Sequence, residues 1–258
     1  MFFRIALGSL HDRKGSVAIT LLAIVISLYV LLGIDHLRGQ IKQSFSSTIV
    51  GTDLIVGART GDINLLFYAI FHLGEATQNI SWQTYSNLAA LSEVKWAVPI
   101  SLGDSHKGYR VTATTQDYFK YYQYGSKQPL QFEQGQAFNK VYQVVLGSDV
   151  AEKLNYQLGD NITLSHGIGQ TSFSEHKDSP FTIVGILAKT GTPVDRGLYI
   201  NLQSMEAIHI GWGTGSQTSV KVDNPDALQP ETITAILLGL EKKATTFRLQ
   251  RVINGYKQ

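Results

Sequence analysis

The longest unbroken apolar stretch of the chain, residues 16–34, reads SVAITLLAIVISLYVLLGI and carries no charge. As a helix these 19 residues extend about 28 Å, close to the hydrocarbon thickness of a bilayer. A cleaved signal peptide has a shorter apolar run and small residues at its cleavage site, whereas Asp35, His36, Leu37 and Arg38 follow here. A buried core helix is usually shorter and flanked by amphipathic sequence. A retained transmembrane helix accounts best for the length and the flanks. Arg4, Arg13 and Lys14 precede the run, against Arg38 and Lys42 after it. With the N-terminal amine, they predict a cytoplasmic N-terminus and an extracytoplasmic remainder. In residues 2–10, Phe3, Ala6, Leu7 and Leu10 share one helical face. That pattern suits an amphipathic helix on the inner membrane surface, or an extension of the transmembrane helix itself.

Past the apolar run, Leu37, Ile41, Phe45 and Ile49 recur at every fourth position in an otherwise polar stretch. This spacing predicts that the helix continues as an amphipathic stalk. Gly51 and Gly57 then bracket a short strand. Residues 63–73, INLLFYAIFHL, are strongly apolar but too short to span a membrane. Their side chains Leu65, Leu66, Phe67, Ile70 and Phe71 either pack on a core or form a cargo-facing or membrane-facing surface.

From Ser81 onward short helices and strands alternate. Helices are predicted over 81–91 with Ser81 as cap, 117–122, 148–154 with Ser148 as cap, 204–210, and from Pro230 to about Lys243. Strands are predicted over 94–100, 109–114, 141–146, 161–165, 181–189, 197–202 and 219–223. The spacing is too irregular for a series of βαβ units. The fold class is therefore α+β: one transmembrane helix and stalk, then a mixed α/β extracytoplasmic domain of two subdomains. The expected boundaries are 1–15 cytoplasmic amphipathic segment, 16–34 transmembrane helix, 35–49 stalk, 50–243 extracytoplasmic core domain and 244–258 return segment toward the membrane.

Composition narrows the function more than it defines it. A net charge of +2 argues against a nucleic-acid partner, which needs a basic face. The absence of cysteine excludes disulfides and thiolate chemistry. Seven histidines invite a metal reading, and His166 and His176 share one polar loop, but no H-E-x-x-H or H-x-x-E-H spacing occurs. Gly211, Gly213 and Gly215 in GWGTG lack the lysine and hydroxyl of a phosphate loop. Asp149 and Glu152 read as solvated first-turn charges of a helix. No catalytic, cofactor-binding or metal-ligating residue is assigned, and no cofactor is expected.

Four stretches are more specific than composition. They are IALGSLHDRKGSVAITLLAIVISL near the N-terminus, GTDLIVGARTG at 51–61, VVLGSDVAEKLNYQLGDNITL at 144–164 and FTIVGILAKTGTPVDRGLYINL at 181–202. Together they resemble the MacB/FtsX-type permeases of ABC transporters over nearly the whole chain. In these stretches Gly147 suits a strand-to-helix turn and Gly159 a positive φ. Gly185 suits a bulge or close backbone approach, and Asp195 and Arg196 a local ion pair or a partner contact.

The resemblance implies a permease subunit with no nucleotide site of its own. It implies a separate cytoplasmic ABC ATPase, a homodimer or paired permease, and a lipophilic, peptide or lipoprotein cargo or a periplasmic partner protein. It also implies the bacterial inner membrane. Three further membrane helices follow the outer domain in that family, so Gln258 falls where the second would soon begin, and the chain reads as the N-terminal half of a permease. Taken instead as ending at Gln258, the pattern implies a single-pass anchored binding or sensor domain without an ATPase. An anchored hydrolase has little support, because no catalytic constellation is found.

Overall fold

Nineteen consecutive uncharged residues leave the backbone no solvent partner in a bilayer, so they must bond within their own helix. The structure, a computed structural model, describes residues 11–48, 50–59, 61–74, 78–167, 179–210 and 224–255. The chain divides into two units, Met1–Ser46 and Ser47–Gln258. The first contains most of one continuous helix, α1 (Lys14–Thr48), and no break separates the apolar run from the predicted stalk. Its segment Lys14–Leu37 is long and apolar enough to cross a membrane, and none of it is buried. The hydroxyls of Thr20 and Ser27 donate back to the carbonyls of Ser16 and Ala23, at 2.9 and 2.8 Å. That satisfies both groups without water. Phe3, Ala6, Leu7 and Leu10 lie outside the described residues, as do His176, the GWGTG cluster and the strand predicted at 219–223.

The second unit is built on one mixed sheet. In chain order its elements are β1 (Leu54–Gly57), α2 (Asp62–Ile70), β2 (Ile80–Ser81), α3 (Trp82–Ala89), β3 (Val94–His106) and β4 (Tyr109–Thr114). Next come α4 (Asp117–Tyr121), β5 (Gln123–Tyr124), β6 (Gln128–Pro129), β7 (Phe132–Gly135), β8 (Gln143–Leu146), α5 (Ser148–Leu154), β9 (Asn161–Ile162) and β10 (Ser165–His166). The last are β11 (Phe181–Leu187), β12 (Leu198–Asn201), α6 (Leu202–His209), β13 (Thr232–Ile233), β14 (Ala235–Leu240) and α7 (Thr246–Gly255). The strand order is β1-β14-β3-β4-β12-β8-β11-β7, with β10 on β3 and β9 on β11. The β4–β12 and β8–β11 pairs are parallel and the others antiparallel.

Strand side chains alternate between faces, and here both faces are apolar. Val144, Leu146, Leu198, Ile200, Ile236 and Leu238 point into one core, covered by Leu88 of α3, Val150 of α5 and Met205 and Ile208 of α6. Their neighbours Val145, Tyr199, Ala235 and Leu237 point into the other, covered by Tyr68 and Ile70 of α2 and by Tyr118 and Phe119 of α4. The second core is aromatic: Tyr118 stacks on Tyr199 at 5.1 Å, and Phe119 meets the Phe138 edge at 5.4 Å. Burying one such ring contributes about 2–3 kcal/mol. What reads in the sequence as two subdomains is one compact unit with a core on each face of a shared sheet.

Local departures from the sequence reading have physical causes. The expected helix after Pro230 is instead β13 and β14. Its run ITAILLGL is buried on both faces, and periodicity alone cannot separate such a strand from a core helix. Ser81 does cap α3, accepting from the Thr84 amide at 3.2 Å. Ser148 does not cap α5, whose N-cap is Gly147, and α6 is capped by Asn201, whose side chain accepts from the Ser204 amide. Gly159 takes φ +88, and Gly185 sits at a register shift where a Cβ would strike the Gln136 carbonyl. Asp195 forms no exposed ion pair with Arg196. It is buried and accepts from the amides of Thr190 and Gly191, at 2.9 and 2.7 Å, pinning the turn that leads into β12.

Candidate functional site

The apolar segment 63–73 folds as α2 and the turn after it. Of the five residues expected at a surface, Ile70 is buried in the aromatic core. Leu65, Leu66 and Phe71 are half-buried and pack against that core. Only Phe67 faces outward, 42% exposed, with its ring edge-on to Phe71 at 6.1 Å. It is joined there by Ile63, 68% exposed, and Leu73, 59% exposed. Ile63 and Phe67, four positions apart, share one face of α2. In the turn that follows, the Leu73 amide donates back to the Phe67 carbonyl at 3.0 Å, so the outward stripe is Ile63, Phe67 and Leu73. Beyond α2, His72 turns inward beside Tyr199, and Arg110 donates to the Gly74 carbonyl. Burial first, and the Arg110 charge second, push the His72 pKa down to about 4.

A second cluster is polar and comes from three distant parts of the sequence. The end of β3, Asp104-Ser105-His106, is buried throughout. A bulge sets this up: from Leu102 to Ser105 three steps on β3 face two on β4, Thr112 to Arg110. Such an extra residue re-aims its side chain. It turns Asp104 into the interior, where its carboxylate is fully enclosed. Across the ladder, His166 of β10 is the direct register partner of Asp104, with Nδ1 3.3 Å from Oδ1. His209, the last residue of α6, brings Nε2 to 3.5 Å from the same oxygen. The two imidazoles are tilted, with centroids 4.8 Å apart, and each side chain is about one-third exposed.

The ring of His209 is fixed from behind. Its Nδ1–H donates to the Met205 carbonyl at 2.6 Å, one helical turn back. Burial alone lowers the basicity of this imidazole, but the hydrogen bond and charge of Asp104 outweigh it. The Met205 carbonyl and Glu206 add to that effect, so its pKa lies above the ordinary histidine value. The donor set of one carboxylate and two imidazoles lies within a 4.8 Å span. His106, two residues along β3, is held differently. Its Nδ1 faces the Thr163 carbonyl at 2.6 Å and its Nε2 the Tyr156 hydroxyl at 2.8 Å.

The family described as MacB-like periplasmic core domain matches residues 17–235, from within α1 to the first residue of β14. The chain belongs to the MacB-like periplasmic core domain family. That membership makes the sheet domain the extracytoplasmic part of a MacB/FtsX-type ABC transporter permease. Solved structures with a similar chain include the periplasmic region of MacB from Actinobacillus actinomycetemcomitans, 13% identical over 81% of this chain and 85% of that one, TM-score 0.47. Another is the extracellular domain of the noncanonic ABC-type transporter YknZ from Gram-positive bacteria, 13% identical over 79% and 94%, TM-score 0.44. No curated protein matches the chain.

Within this MacB-like domain, the motifs that carry the sequence resemblance are turns and strand ends that build the sheet. The polar cluster of Asp104, His166 and His209 lies outside all of them. Asp104 and His209 give no sequence signal by spacing. What hints at Asp104 is the break in β3, where an apolar strand meets Gly103-Asp104-Ser105-His106.

Proposed function

We propose that the chain is the membrane-anchored outer part of a permease subunit in the bacterial inner membrane. In this reading residues 1–15 form the cytoplasmic foot, 16–34 the membrane helix, 35–49 the stalk, 50–243 the outer domain and 244–258 the return toward the membrane. A separate cytoplasmic ABC ATPase supplies the free energy. The subunit works as a homodimer or with a paired permease. The outer domain moves a lipophilic, peptide or lipoprotein cargo, or engages a periplasmic partner protein. The observation that carries the reading is the family match running unbroken from residue 17 inside α1 into β14, so that helix and domain form one family unit.

A route for coupling starts where the chain enters the domain. Thr48, at the end of α1, is buried, and its carbonyl accepts from the Tyr122 hydroxyl at 2.7 Å. Tyr122 lies on Tyr118, ring centroids 5.1 Å apart, and Tyr118 on Tyr199 of β12. A shift of α1 driven by nucleotide would reach the aromatic core through these rings. Coupling requires such an element with two arrangements that each ligand biases. The outward stripe Ile63, Phe67 and Leu73 is the surface assigned to cargo or membrane.

The natural absence of cysteine makes topology directly testable. An impermeant maleimide applied to intact spheroplasts should label Ser126→Cys, in an exposed turn of the domain, and leave His11→Cys unlabelled until the membrane is opened. The full chain in mild detergent should co-purify with an ABC ATPase. The opposite labelling pattern, or purification that never yields an ATPase, overturns the reading.

A further inference from the structure

We propose that Asp104, His166 and His209 form a binding site for a divalent transition-metal ion of the zinc class, closed on three sides and open on the fourth. The inference rests on side-chain geometry and stands whether or not the domain moves cargo.

Zinc bonds to imidazole nitrogen and carboxylate oxygen at about 2.0–2.2 Å, and tetrahedral angles then set its donors about 3.3–3.5 Å apart. Two edges of that tetrahedron already have this length: His166 Nδ1 to Asp104 Oδ1 at 3.3 Å and His209 Nε2 to the same oxygen at 3.5 Å. The third edge lies within 4.8 Å, and both imidazoles are partly exposed, so ring rotation can close it. Ligating histidines characteristically donate their other ring N–H to a carbonyl or carboxylate, which fixes the tautomer. His209 does this with the Met205 carbonyl, leaving Nε2 as the nitrogen aimed at the carboxylate. A lone pair on Nε2 facing a carboxylate oxygen is repulsive unless a positive charge lies between them. A metal ion supplies it, and a proton competes for the same position.

The donor chemistry selects the metal class. One carboxylate and two neutral imidazoles suit zinc and its neighbours, whereas calcium and magnesium want a shell of oxygens. Three protein ligands leave a position for water or an incoming donor, unlike four-ligand structural sites. The partial exposure of both imidazoles sets that position toward solvent. Bound metal would tie β10 and the end of α6 to the bulge of β3, three segments with no sequence proximity.

The test uses the untagged full chain in detergent, stripped with chelator and titrated with Zn2+ alone. One ion should bind per chain. Asp104→Asn, His166→Gln and His209→Gln should each weaken binding by at least the roughly 10–100-fold that losing an outer-shell partner costs, whereas His11→Gln and His36→Gln should not change it. In the native chain, saturating Zn2+ should slow diethyl pyrocarbonate modification at His166 and His209 while leaving His11 unprotected. That readout needs no variant to fold. No stoichiometric uptake, uptake unchanged in His166→Gln and His209→Gln, or modification of both residues unaffected by Zn2+ overturns the proposal.

Discussion

Four histidines of the outer domain fall into two regions, and the difference separates a structural group from a binding one. In the interior, His72 and His106 are enclosed, and both ring nitrogens of His106 meet neutral oxygens, a carbonyl and a phenol. At the bulge of β3, His166 Nδ1 and His209 Nε2 both face one buried carboxylate oxygen while about a third of each side chain remains open. An imidazole with both ring nitrogens engaged by a carbonyl and a phenol makes a good brace and a poor ligand. Two imidazoles facing one anion, one of them held from behind by the Met205 carbonyl, are arranged to hold a cation. Two residues of one strand, Asp104 and His106, thus belong to opposite kinds of chemistry.

The largest effect should come from the enclosed side. His106→Ala opens a cavity and leaves the Thr163 carbonyl and the Tyr156 hydroxyl without this partner. The expected loss of stability is about 3 kcal/mol, from lost packing and two broken part-buried hydrogen bonds. Denaturant unfolding followed by tyrosine and tryptophan fluorescence should report it. A loss below about 1 kcal/mol would remove the distinction between the two regions.

Next in size is the acid response of His72. Its folded pKa is about 4, below the unfolded value of about 6.5. Between these values the unfolded chain binds a proton that the folded chain refuses, so stability falls as pH falls. The contribution is fully present above about pH 6.5 and is lost toward pH 4, by about 3 kcal/mol in all. Subtracting the pH profile of a His72→Leu variant from that of the native chain should isolate this slope. Parallel profiles would show that His72 takes up its proton equally in both states.

The sequence exposed some of this and hid the rest for definable reasons. The helix α1 is legible because uncharged length is a one-dimensional signal, and Tyr109–Thr114 because its polar flanks bound a short alternating run. The strand β14 is misread because ITAILLGL is buried on both sides, which erases the alternation that distinguishes strand from helix. The outward stripe of α2 is only half legible. An apolar run marks the segment, but the twist of the helix decides that Phe67 faces out and Ile70 in. The cluster at Asp104 is illegible in principle. Its ligands come from a bulge, a two-residue strand and a helix end, and only the register of β10 on β3 and the packing of α6 bring them together.

The smallest stability effect should come from the open side, and it makes the sharpest test of the comparison. Glutamine at position 209 keeps an amide donor for Asp104 but loses the imidazole nitrogen that a metal requires. Because the His209 side chain is about one-third exposed, the metal-free His209→Gln chain should lose about 1 kcal/mol or less. Metal then separates the two chains. A ligand that binds only the folded state stabilises it by about 2.7 kcal/mol at a hundred times its Kd. The native thermal midpoint should therefore rise on adding Zn2+ at that excess, while that of His209→Gln stays where it was. His106→Ala, if enough of it folds, should rise in parallel with the native chain from its lower baseline, because His106 braces the strand without contributing a ligand. Were His106→Ala to lose the response and His209→Gln to keep it, the two regions would have exchanged roles.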